Sequence, residues 1–113
     1  MATTQQVIVT VPAATSTALV GSTSVDAASA HFTPQLGRDM YLTLTGTWTG
    51  SVQVQRSTDN GASWNNITIG GGQVWGRYTG NCDEVVDTPT DGSAIYRLNI
   101  DITTGSVAYR LGQ

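Results

Sequence analysis

Ala94-Ile95-Tyr96-Arg97-Leu98-Asn99-Ile100-Asp101-Ile102 is the stretch whose reading decides the fold. Ala94, Tyr96, Leu98, Ile100 and Ile102 fall on one face, and Ile95, Arg97, Asn99 and Asp101 on the other. Side chains of an extended chain point alternately to opposite faces, so this period of two marks a strand with one face in a core.

The same period recurs outward from it. Val107, Tyr109 and Leu111 share a face near the C-terminus; Met40, Leu42 and Leu44 alternate with Tyr41, Thr43 and Thr45; Val52 and Val54 alternate with Gln53 and Gln55. Shorter runs hold Ile67 and Ile69, and Val74 with Trp75 between Gly72 and Gly76. Val7, Val9 and Val11 form a first run that Pro12 stops. Three segments carry turn chemistry: Thr47-Trp48-Thr49-Gly50, Asp59-Asn60-Gly61 and Thr103-Thr104-Gly105. Each has a glycine able to take the positive φ that tight hairpins require. They are expected to join 40–45 to 51–55 and 94–102 to 107–111 as hairpins. The pattern predicts one all-β domain, an antiparallel β-sandwich or jelly roll of about seven to nine short strands. Residues 37–113 form its core. Residues 1–36, rich in Ala, Ser and Thr, supply a strand near Ala18-Leu19-Val20 and either further strands or an extended N-terminal arm.

Composition narrows what such a domain can do. The chain has 113 residues, enough for one core, and only 12% are charged. Its five basic residues are all Arg (Arg38, Arg56, Arg77, Arg97 and Arg110) and none is Lys. Lys is the side chain that loses most entropy and hydration when covered, so its absence suits a surface that packs against other chains. A net charge of −3 leaves no basic stripe for phosphates, which argues against nucleic acid. No run approaches the ~20 apolar residues of a membrane helix. Met1-Ala2-Thr3-Thr4-Gln5-Gln6 lacks the charged and apolar regions of a secretory signal, so synthesis in a cytoplasm is expected.

Residues able to carry chemistry are few. Cys82 is the only cysteine and is followed by acids that oppose thiolate formation; His31 is the only histidine, and no glycine elbow surrounds a serine. Asp83, Glu84, Asp87 and Asp91 form an acidic segment whose spacing matches no EF-hand, and it reads as a solvated loop. The expectation is therefore no enzyme, no metal and no cofactor. Trp48 and Trp75, with Tyr41 and Tyr78, raise carbohydrate stacking as an alternative to core packing.

Ser57-Thr58-Asp59-Asn60-Gly61-Ala62-Ser63-Trp64 resembles the Asp box, Ser-x-Asp-x-Gly-x-x-Trp, of sialidases and many unrelated β proteins. The resemblance implies a structural turn built on Ser57, Asp59, Gly61 and Trp64. Asp59 accepts backbone N–H bonds there, and Trp64 is expected to fold under the hairpin into the core. A sialidase repeats the box around a propeller, for which this chain is too short.

A wider resemblance runs through Gly46-Thr47-Trp48-Thr49-Gly50-Ser51-Val52-Gln53-Val54-Gln55-Arg56-Ser57 into the Asp-box turn, and again through Tyr96-Arg97-Leu98 and Tyr109-Arg110-Leu111-Gly112-Gln113. From Gly37 onward the chain is similar to small β-sandwich accessory proteins of tailed-bacteriophage virions, the capsid cement or decoration type. The resemblance implies a structural protein of the virion that clamps the outside of the shell. Its partners would be the major capsid protein and further copies of itself, as dimer or trimer. Trp48, Arg56, Arg97, Tyr109 and Arg110 are the candidate interface residues, since Arg and aromatic side chains suit interfaces. A tail, neck or fibre component, or a sugar-binding sandwich module, stays open beside it.

Overall fold

The computed structural model describes residues 16–113. The alternating run at Val7, Val9 and Val11 lies outside the described residues. The elements, in order, are β1 (Leu19–Thr23), β2 (Ala27–Ala28), β3 (Met40–Ser57), β4 (Asn65–Asn66), β5 (Thr68–Ile69), β6 (Gln73–Val74), β7 (Arg77–Tyr78), β8 (Cys82–Asp87) and β9 (Ile95–Gly112). Seven of them share one antiparallel sheet, while β5 and β6 pair only with each other.

The fold is all-β, as the alternation predicts, but its strands are not uniformly short. β3 and β9 are each 18 residues long and pair from Tyr41↔Gly112 to Ser57↔Ile95. Two of the three expected hairpins therefore do not exist. Thr47, Trp48 and Thr49 stay in the ladder opposite Ser106, Gly105 and Thr104. The two glycine-bearing segments that each read as a turn face one another across the pair. Both strands bend together there instead of reversing.

The bend has a register signature. Thr49 pairs with Thr104 and Gly50 with Ile102, leaving Thr103 as one extra residue on β9. Such a bulge sharpens local twist and flips the inward parity of its strand. Inward residues on β9 are accordingly Tyr96, Leu98 and Ile100 before the bulge and Val107 and Leu111 after it, whereas β3 keeps Met40, Leu42, Leu44, Val52 and Val54 inward throughout. Backbone approach at the corner is close. A Cβ on Gly50 (φ 139°) would strike the Asp101 carbonyl oxygen, and one on Gly105 (φ 81°) the Thr47 carbonyl oxygen.

Strands of 18 residues at ~3.3 Å per residue would run about 60 Å if straight, far beyond an ordinary strand. Bending at the corner folds the sheet over its own apolar face, so that strands switching from one layer to the other form the sandwich. One layer holds β1, the C-terminal half of β9, the N-terminal half of β3, and β8; the other holds β2, the remaining halves of β9 and β3, β7 and β4. A single apolar cluster lies between, including Leu42, Leu44, Val107 and Leu111 from the first and Val52, Val54, Leu98 and Ile100 from the second. Polar bonds join the layers where they open: the Tyr96 hydroxyl donates to Asp87 Oδ2 at 3.0 Å.

Residues 19–32 line the free edge of β9. β1 pairs with 107–111, β2 with 99–100, and Phe32 with Tyr96. Where the backbone ladder breaks, side chains take its place. Asp26 Oδ1 accepts from the Ile102 amide at 2.8 Å, and Ser29 Oγ from the Leu98 amide at 2.8 Å. These bonds keep buried-strand amides satisfied through an irregular edge. The described part of the N-terminal third thus belongs to the same sheet as the rest.

Gly50→Ala is expected to lose roughly 3 kcal/mol or more of unfolding free energy, since strain at positive φ adds to a backbone clash. Gly71→Ala, at φ 93° with open space around it, is expected to lose only about 1–2 kcal/mol. Urea denaturation of both variants checks this, and equal losses would show that the corner is not closed by contact.

Candidate functional site

The Asp-box turn connects the end of β3 to β4. Ser57 is buried, and its hydroxyl donates to Asp59 Oδ1 at 2.7 Å while accepting from the Gly61 amide at 2.9 Å. Asp59 accepts in addition from the Ser63 amide (2.9 Å) and the Ser63 hydroxyl (2.5 Å). The Ser63 hydroxyl and amide, with the Ser57 hydroxyl, hold the Asp59 carboxyl down to about 2. Three of its acceptor sites are taken by its own loop, which makes it a lock for the turn.

Trp64 differs from expectation. It does not enter the core, which Phe32 and Tyr96 occupy at this end. The indole lies on the outer face, half-buried, with the His31 ring at 4.9 Å and the Arg97 guanidinium 4.5 Å from its centre. Arg97 Nε also donates to Gln55 Oε1 at 2.9 Å, and Gln55 Nε2 to Asn66 Oδ1 at 2.9 Å, so a cation–π contact and two hydrogen bonds tie the turn to the sheet.

The five candidate interface residues do not come together. Trp48 lies mid-strand at the corner, not in a turn. It packs against the core and donates its indole N–H to Asn81 Oδ1 at 2.8 Å, while Asn81 Nδ2 donates to the Gly46 carbonyl at 2.9 Å. Arg56 pairs with Asp91 at 3.3 Å at the open end of the sandwich. Arg97 is engaged by Trp64 and Gln55. Tyr109 faces inward and lies over Gly21, where a Cβ would stand 2.5 Å from its hydroxyl oxygen. Arg110 is exposed on an outer face, with no hydrogen-bond or ion-pair partner among the described residues. Among the aromatics weighed for sugar stacking, Trp48 and Tyr78 pack against the core, and burial pushes the Tyr78 hydroxyl up to about 12. Tyr41 and Trp75 are exposed.

Two surfaces emerge that the sequence pattern does not single out. The first is the outer face of the layer containing β1 and β8. Residues paired across a ladder share a face, which places Val20, Arg110, Thr43 and Asp83 in one row and Gly112, Tyr41 and Val85 in the next. Val20 is 68% exposed, Tyr41 45% and Val85 38%. The Arg110 guanidinium lies toward Gly112, where a Cβ would be 2.8 Å from Nη1, and so reaches toward the Tyr41 row.

The second is a groove along the open edge of the sandwich. The chain leaves β3's edge at Ile67, whose amide donates to the Val54 carbonyl at 3.2 Å. It forms the β5–β6 hairpin and returns at Gly76, whose carbonyl accepts from the Val54 amide at 2.8 Å. Trp75 reaches from there to the other layer, and its indole N–H donates to the Val86 carbonyl at 2.7 Å. Two hollows of about 360 and 320 Å³ adjoin, sharing Ile67, Thr68, Asp87 and Thr88 as walls.

The acidic segment is dispersed by the fold. Asp83 accepts from the Thr43 hydroxyl, Asp87 from Tyr96, and Asp91 from Arg56 and Ser93. Among the described residues, no three His, Cys, Asp or Glu side chains gather closely enough to hold a metal ion. The Cys82 thiol is half-buried, and burial together with Glu84 pushes it up, which opposes nucleophilic use. Among the described residues, no helix is long and apolar enough to cross a membrane. In comparisons with protein families, curated proteins and solved structures, the chain matches none.

The low Asp59 value has a signed consequence. The native turn keeps the carboxylate ionised to about pH 2, while the unfolded chain protonates it near 3.8. Its contribution is present above the ordinary carboxylate range and is lost as pH falls through the native value. Asp91, lowered mainly by the Ser93 hydroxyl, acts in the same direction. The Tm of Asp59→Asn is therefore expected to fall less steeply than wild type between about pH 4 and pH 2, measured by circular dichroism. Parallel curves would mean that the carboxylate does not hold the turn.

Proposed function

We propose that this chain is a non-enzymatic structural protein of a virion, a cement or decoration protein that lays the outer face of its β1–β8 layer on a shell of capsid subunits. The observation that carries the reading is the exposed row pair of Val20, Tyr41 and Val85 around Arg110 and Asp83. A sheet face turned only to water ordinarily alternates to polar side chains. Here aliphatic and aromatic groups surround one Arg, the mixture found at interface centres. Absence of Lys lowers the entropy lost when such a surface is covered.

The mechanism is linkage. A chain that binds the assembled lattice and not the separated subunits stabilises the lattice by mass action. Repetition over many copies, or joining of copies as dimer or trimer, raises modest single-site affinity through effective concentration. The folded-over sheet serves this role by being stiff: both layers share β3 and β9, so the outer face cannot slide relative to the core.

Val20→Asp and Arg110→Glu are expected to fold with near-wild-type Tm, since both side chains are exposed, and to weaken binding to purified capsids about tenfold or more in co-sedimentation. Capsids lacking the chain should break at lower temperature than capsids carrying it. Shells equally heat-resistant with and without it would overturn the cement reading, and a count of a dozen copies or fewer per particle would point to a tail, neck or fibre instead.

A further inference from the structure

We propose that the groove along the open edge of the sandwich is a carbohydrate site, with the Trp75 indole as a stacking platform and the Arg56–Asn65 end as its hydrogen-bonding pole. Trp75 is 40% exposed, yet it is held from three directions. Its indole N–H is bonded to the Val86 carbonyl, its own carbonyl accepts from Gln53 Nε2 at 2.9 Å, and the carbonyl of the next residue, Gly76, accepts from the Val54 amide. Gln53 is itself buried, on the face of β3 opposite Val52 and Val54, so the anchor comes from a fixed position on the sheet. An exposed indole normally contributes its N–H to whatever it meets. Here the N–H is consumed internally, and what remains for a partner is the ring, fixed in orientation before any ligand arrives. A preorganised flat apolar surface loses little freedom on binding.

The adjoining hollow supplies complementary chemistry. It is walled by Arg56, Asn65, Thr58, Thr88 and Thr90, with Ile67 at the junction toward Trp75. Together the two hollows reach the size of ordinary ligand pockets. Charge selects the ligand class. Arg56 is balanced by Asp91, and Asp87 lies on the same wall holding the Tyr96 hydroxyl, so the groove carries no excess positive charge for phosphate or sulfate. A peptide strand would need free backbone acceptors along β8, and the Val86 carbonyl is already taken by Trp75. Planar amides, hydroxyls and a fixed aromatic ring fit a neutral, polyhydroxylated ligand of two or more pyranose units, with one ring stacked on Trp75.

The groove meets the outer face at Val85, which borders both, but Asn65 lines only the groove and Arg110 lies only on the outer face, so the two proposals can fail separately. Maltohexaose, cellohexaose and chitohexaose, titrated calorimetrically into the full chain, test it, followed by a glycan array. At least one neutral oligosaccharide is expected to bind. Trp75→Ala should weaken it at least tenfold. Asn65→Ala, at an exposed position, should weaken it several-fold with unchanged Tm, which guards against a Trp75 variant that merely unfolds. Trp48→Phe and Arg110→Glu should bind sugar like wild type, and Trp75→Ala should still sediment with capsids. Absence of binding to every neutral glycan tested, or full affinity in both Trp75→Ala and Asn65→Ala, overturns the site.

Discussion

The pairing of Met40–Ser57 with Ile95–Gly112 is the constraint on which every other part of this structure depends. Neither strand can bury its apolar face while straight, because the sheet then has only one covered side to offer. Bent at Gly50, Thr103 and Gly105, the same pair becomes both layers of a sandwich and brings its two halves face to face. β1, β2, β4, β7 and β8 then need only short stretches of ladder on one or other edge. Two-residue elements such as β4 and β7 persist because the long pair holds the edge to which they add.

The corner also explains where polar side chains are used. Bending opens gaps in the backbone ladder, and each gap described here has a side chain in it: Asp26 at Ile102, Ser29 at Leu98, Asn81 between Gly46 and Trp48. These are short residues whose oxygens or amides mimic a peptide group. Gln113 plays the same part where the chain ends its last strand, accepting from the Gln35 amide and donating to the Gln35 and Arg38 carbonyls. Residues that look like generic loop composition are specific replacements for missing strand bonds.

Candidate binding features follow from what the pair leaves uncovered. A folded-over sheet has an outer face on each layer and one open edge. On the second layer, the outer face is occupied by the Trp64, His31 and Arg97 stack. On the first, it carries Val20, Tyr41, Val85 and Arg110. The open edge carries Trp75, pinned by bonds from both layers. The proposed shell-binding and sugar-binding roles thus occupy two of the places where the architecture exposes apolar groups.

The amino-acid sequence by itself determined the strand character of 40–45, 51–55, 94–102 and 107–111, their inward faces, and the Ser57–Asp59 turn. All three are local: alternation needs only neighbouring residues, and the Asp-box bonds span at most four positions. Even the bulge left a trace, in the change of inward parity from Ile100 to Val107, although a parity change reads equally well as a hairpin. Only the tertiary structure decided between them, because Gly50 and Gly105 are turn residues in isolation and become corner residues once they stand near one another in a ladder. The same holds for the surfaces. Trp48 and Trp75 are equivalent as sequence, each a Trp beside Thr or Val and close to Gly. Their different burial depends on which partner, Asn81 or the Val86 carbonyl, the folded sheet delivers to each indole N–H.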